Sequence, residues 1–362
     1  MRWWHIAAAL FMSACDLNLP SESKIEDLRI LDIKVDPPEI SLFELGSLAL
    51  EPENLPPFRR QDVTVKVLAA HPDLDATFSF EFVRCKPGLG SIPCDDGETR
   101  DRLGGGSDNT FSYIPVDLVL ADVVGGENSL DQVAARFVED PRDLINGLYT
   151  YINSAVSVAS AAITVDTPTL EGVKRVVVFE PRIIARAIQE AQKLDPSEIP
   201  MIAGLALPSL CTNVDPATTA QLFTFLSTRT PNRSPTYEKI EIEIFTKNAT
   251  TATRSVGLGE VVEVFEGDVI AIEGLAAEDD AEKYQLIDAD CTLQKFRERL
   301  AFSWFSSVGD LSTNVTTEED SLVDWVAPPF VGEPLRARIW TVLRDGRGGS
   351  DHGWFDVLVR PR

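Results

Sequence analysis

Histidine is nearly absent from this chain: there are three in 362 residues, at positions 5, 71 and 352. A side chain that exchanges protons near neutral pH is most often an imidazole, so the commonest catalytic base is missing from most of the sequence. His71 sits in AHPDLD, a turn context, and His352 in the closing hairpin; both read as surface loop residues rather than bases. Also missing are G-x-S-x-G, H-E-x-x-H and G-x-x-x-x-G-K-[ST], the spacings that mount a nucleophile, a zinc pair or a phosphate-binding loop. GLGEV, with Gly257 and Gly259, lacks the third glycine and following helix of a dinucleotide loop and reads as a turn. There is no C-x-x-C, so neither a thioredoxin-like motif nor a zinc knuckle is indicated. Basic residues are few, 33 against 57 acidic, for a net charge of −24. A surface of that sign repels phosphate backbones and anionic headgroups, which argues against nucleic acid as a partner. No later apolar run approaches the ~20 residues that span a bilayer as a helix. Together these absences point away from an enzyme.

What is present starts at LFMSAC. Arg2 supplies a positive charge, Ile6 to Met12 a short apolar run, and Ser13 and Ala14 the small residues a signal peptidase needs. Cys15 follows at once, and polar DLNLPSES comes after it. This stretch resembles a bacterial lipobox, with Met12 standing where leucine is usual. The resemblance implies that Cys15 is alkylated by a lipid and becomes the acylated N-terminus. Two or three acyl chains, at about 0.8 kcal/mol per buried CH₂, hold a protein stably on a membrane. The expected partner is therefore the membrane, through the lipid on Cys15, and the expected location is the bacterial cell envelope, at the outer membrane and facing the periplasm or the surface. The alternative is an ordinary cleaved signal followed by an unrelated cysteine.

The other cysteines are Cys85, Cys94, Cys211 and Cys291. Five is an odd number for an exported chain, and lipidation of Cys15 leaves four. Cys85 and Cys94 flank KPGLGSIP, a segment able to turn the chain back for a local disulfide. Cys211 and Cys291 would by elimination close a loop of about eighty residues, worth ~4 kcal/mol in the chain-entropy model. Some of the four as buried free thiols is the alternative.

The body of the chain alternates apolar and polar residues at period two in many short runs, the mark of strands with one buried face. RILDIKVDPPEI, DVTVKVLAA and TFSFEFVRC open the series; FSYIPVDLVLADVV, ASAAITVD and KRVVVFEP continue it. Ser129 and Asp140-Pro141 look like helix starts, and RIIARAIQEAQKLDP has helical spacing. Strand signal then returns from Tyr237: KIEIEIFTK, GEVVEVFEGDVIAIEG around a turn at Glu266-Gly267-Asp268, RLAFSWFSSVG, VDWVAPP, and two runs flanking DGRGGSDHG. Trp304 is the candidate core plug. The expected fold is mainly β with a helical insertion, as two immunoglobulin-like β-sandwich domains in tandem. The division is a signal peptide at 1–14, a tether at 15–27, a sandwich at 28–232 with helical insertions at about 129–153 and 182–225, and a second sandwich at 233–362.

The start at Cys15, the first strand ending in DPPEI and the final RARIWTVLRDGRGGSDHGWFDVLV are similar to predicted bacterial lipoproteins of myxobacterial type with immunoglobulin-like sandwiches. The likeness covers Cys15–Arg84 and Tyr237–Arg362, and the last strands also resemble PKD-type and cadherin-like modules. It implies fold and location, and no assigned activity. Acidic loops supply weak calcium candidates at Asp95, Asp96, Glu278, Asp279 and Asp280, with another cluster at Glu318 to Asp320. Loop carboxylates bind Ca²⁺ in many extracellular modules, but none here has the EF-hand spacing, and a solvated, charge-rich loop is the simpler reading of each. No other cofactor is expected. The functional expectation is a lipid-anchored envelope protein with a non-catalytic binding, adhesion or structural role toward a protein or glycan. The alternative is a carbohydrate-binding protein or hydrolase with a site in region 129–233.

Overall fold

The computed structural model describes residues 23–41, 60–85, 100–115, 148–159, 169–179, 221, 230–246, 249–251, 253–277, 279–287 and 292–362. Eight strands form a first half: β1 (Arg29–Asp36), β2 (Glu39–Ser41), β3 (Val63–Ala70), β4 (Phe78–Cys85), β5 (Arg100–Gly106), β6 (Thr110–Tyr113), β7 (Leu148–Val158) and β8 (Thr169–Phe179). In β3 the alternation is direct: Val63, Val65 and Val67 are buried while Thr64 and Lys66 are half-buried. Two sheets result, in the orders β1-β3-β6 and β2-β8-β7-β4-β5, with β2 parallel to β8. Their facing side chains, including Val35, Val65, Phe82, Ile152 and Val176, make one core.

Twelve strands follow: β9 (Tyr237–Phe245), β10 (Arg254–Val256), β11 (Val261–Phe265), β12 (Val269–Ala276), β13 (Lys283–Ile287), β14 (Leu293–Arg297), β15 (Ala301–Ser306), β16 (Asp310–Leu311), β17 (Val315–Thr317), β18 (Leu322–Val326), β19 (Leu335–Arg344) and β20 (Ser350–Arg360). They give the sheets β10-β9-β12-β18-β16 and β11-β20-β19-β15-β17, with β13-β14 as a separate hairpin. Trp304 and Trp325 are fully buried between the two sheets, so Trp304 is the core residue its strand pattern suggested. The halves repeat one plan. Strands β1-β3-β6 correspond to β9-β12-β18, and β2-β8-β7-β4-β5 to β11-β20-β19-β15-β17, each with its short first strand parallel to the last. The molecule is thus predominantly β and sandwich-like in both halves.

A third cluster joins them. Ile25, Leu31, Leu68 and Ala70 of the first half pack on Trp340 and Val342, the outer face of β19. Polar bonds ring it: Lys34 Nζ donates to Asp351 at 2.8 Å, Arg344 to the Leu31 carbonyl at 2.9 Å, and Asn232 Nδ2 to Asp345 at 2.9 Å.

Several expectations need correction. His352 is no surface loop residue: it lies in β20, is 6% exposed, and its Nδ1 is 3.3 Å from Asp32 Oδ2 across the junction. The final loop is only Asp345–Gly349, since Ser350 onward pairs with β19. The helical insertion at 129–153 fails over its last residues. Residues 148–153 are strand β7, because Ile152, Ser154 and Val156 alternate into the core and the run pairs with β4 and β8. The remaining 129–147, all of 182–225 except 221, and nearly all of ASAAITVD lie outside the described residues. The tether is also shorter: Ser23 and Ile25 are buried, and Ile25 N donates to the Ser306 carbonyl at 2.9 Å.

Candidate binding face

The strands that bury Ile240, Ile242, Ile270, Ile272, Val323 and Trp325 turn their alternate residues to the opposite side of the sheet. Register sets those residues in three rows across β9, β12 and β18. One row is Phe245–Val269–Val326, the next Glu243–Ala271–Asp324, and the third Glu241–Glu273–Leu322. All of this grid except Val326 lines an open groove of about 440 Å³, joined by Ile242 and Thr253. Its floor is low at Ala271, whose methyl lies between two carboxylate-bearing neighbours. Phe245, Leu322 and Val326 stand 40%, 53% and 43% exposed on this one face.

The electrostatics of the face are one-sided. Four carboxylates, Glu241, Glu243, Glu273 and Asp324, line the groove. Lys239 reaches Glu241 at 2.8 Å, and Ser321 Oγ donates to Glu273 at 2.9 Å. The hydrogen bond to Glu241, then the charges of Glu241, Glu238 and Glu273, hold the Lys239 ammonium above its ordinary pKa. Glu243 and Asp324 make no ion pair among the described residues. On other faces Glu263 pairs with Arg360, Glu260 with Arg254 and Glu318 with Arg297.

The site residues expected from sequence are not brought together. Cys15, Cys94, Cys211 and Cys291, with Asp95, Asp96 and Glu278, lie outside the described residues. Cys85 ends β4, opposite Arg100 and Tyr151, and its side chain is likewise outside them. Asp280 accepts a hydrogen bond from the Thr236 N–H, and Glu318 pairs with Arg297. Among the described residues no three His, Cys, Asp or Glu side chains gather as a metal site. His71 Nδ1 accepts from the Asp73 N–H at 3.1 Å, in the turn expected for it. The groove itself escaped the sequence reading. Its only local signal is the pair of outward glutamates in KIEIEIF, which any solvated strand face carries.

No family model matches the chain, and no curated protein matches it. Among solved structures, it is similar to a nucleoside hydrolase-related hypothetical protein from Saccharophagus degradans, associated with carbohydrate metabolism. That match has 11% identity and a TM-score of 0.23, over 39% of this chain and 29% of the other. The protocadherin GammaB4 extracellular domain matches at 8% identity and a TM-score of 0.19, over 93% and 34%. A Bacteroides ovatus glucan-utilisation protein, SGBP-B, solved with a mixed-linkage heptasaccharide, matches at 9% and 0.15, over 93% and 71%. The chain spans about a third or less of the first two structures' own length. Similarity at this level carries no argument about function.

Proposed function

We propose that this chain is a lipid-anchored protein of the bacterial cell envelope that binds a partner without chemically changing it. Its architecture in this reading is two immunoglobulin-like sandwiches in tandem. The support is the strand order: β9-β12-β18 and β15-β19-β20 have the neighbour relations of strands A-B-E and C-F-G in that fold, and the first half repeats them. Cys15 in its lipobox-like setting carries the anchoring. The groove over β9, β12 and β18 is the binding face, and its exposed Phe245 and Leu322, with exposed Val326 beside it on the same sheet face, are the observation that carries this. A shallow sheet face floored by alanine and valine offers area for contact and no nucleophile–base pair.

Two measurements test the reading. Metabolic labelling with an alkyne fatty acid should mark the wild type and not Cys15→Ser; label on neither removes the anchor. The soluble Cys15→Ser chain, immobilised, should retain material from an envelope extract and lose it on Phe245→Ser/Leu322→Ser. Equal retention by both would move binding away from the groove.

A further inference from the structure

We propose that the groove takes a cationic segment of a protein partner, in which lysine or arginine alternates with aliphatic residues. The inference rests on the reading of this face as the binding site, and names what it binds. Three observations carry it. First, Glu241 and Glu273 are direct cross-strand neighbours on one face, and like charges so placed repel. Lys239 on Glu241 and Ser321 on Glu273 meet that pair in part, but with Glu243 and Asp324 the groove still sets four carboxylates against one ammonium, an excess that a partner cation offsets. Second, Glu243 and Asp324 flank Ala271 from the two adjacent strands, at roughly 10 Å for two strand spacings. Ala271 puts only a methyl between them on the groove's lining, so one ammonium or guanidinium held in the groove faces both carboxylates. Third, the row beside them, Phe245–Val269–Val326, is apolar and exposed at both ends, which suits the aliphatic neighbours of such a cation.

The test uses the full chain with Cys15→Ser and a labelled ten-residue peptide alternating Lys and Val, read by fluorescence anisotropy. A Glu–Val peptide of the same length is the control. The wild type should bind the Lys–Val peptide, weaken steeply with added salt, and ignore the control. Glu243→Gln/Asp324→Asn should bind ~10-fold or more weakly while melting at or above the wild-type temperature. Such a gain in stability with loss of binding is the signature of carboxylates kept for a ligand. Equal affinity for both peptides, or no change in the double variant, overturns the inference, as does a lower melting temperature in that variant. If envelope material is still lost on Phe245→Ser/Leu322→Ser but the Lys–Val peptide does not bind, the binding face stands and its cationic partner falls. If retention is also unchanged, both fall together.

Discussion

Lys34 and Asp351 show at the level of single residues how the two halves are tied. Burial alone would raise the Asp351 carboxyl. The Lys34 hydrogen bond, the Tyr237 N–H and the Lys34 charge outweigh it and leave the group below its ordinary pKa. A depressed carboxyl contributes stability that is complete above its unfolded value, about pH 4, and is lost as pH falls through the folded value. Acid titration of the wild type should therefore leave this contribution unchanged from pH 7 to about 5 and remove it below about 4. In Lys34→Met the half-buried carboxylate loses its cation, and urea titration at pH 7 should show a loss of roughly 1.5–3 kcal/mol. That loss should shrink on acidification; a deficit independent of pH would mean that packing, not charge, is what Lys34 supplies. Gly309 gives a second check at this scale. Its φ is +80°, and a Cβ there would come within 2.6 Å of the Trp325 ring. Gly309→Ala should cost about 1–2 kcal/mol in backbone conformation alone, with more from the clash; an unchanged melting temperature would refute the packing described.

Among elements, the β19–β20 hairpin is closed by a single side chain. Asp345 Oδ1 accepts the N–H groups of Arg347, Gly348 and Gly349 at 2.7–3.0 Å, so one side chain satisfies the whole turn. Asp345→Ala leaves buried donors unmet, and equilibrium unfolding should register a loss of about 2–4 kcal/mol; a loss under 1 kcal/mol would deny that role. The local part of this was legible in advance. The two alternating runs and the glycine-rich turn between them are sequence-near features, and so are the turn at Gly267 and the burial of Trp304. Register was not legible. The groove joins Glu243, Ala271 and Asp324, which are far apart in sequence, and period-two alternation says which face a residue takes but not which strand stands beside it. Strand β7 was misread for a related reason. Asp140-Pro141 is a sound helix start on local chemistry, and only pairing with β4 and β8 settles Leu148 onward as strand.

For the whole molecule, the junction is the feature local patterning could least reveal. Ser350, His352 and Asp356 alternate along β20 on a face that sequence assigns to solvent, yet all three are buried. Nothing in SDHGWFDV announces that a second sandwich lies against it. The cluster of Leu31, Leu68, Trp340 and Val342 predicts that the halves unfold as one unit. Calorimetry of the wild type should give a single transition, and Trp340→Ala, which empties the centre of the joint, should separate it into two; two transitions in the wild type would show that the halves are independent. The docking of Ser23 and Ile25 against Ser306 ties the start of the described chain to the second half as well.

The most direct measurement is a methyl NMR titration of the soluble Cys15→Ser chain with the Lys–Val peptide. The account predicts saturable shifts at Val269, Ala271, Leu322 and Val326, with the core methyls Ile240 and Ile272 still. Shifts centred instead on Leu258 or Val331, or none at all, would contradict it.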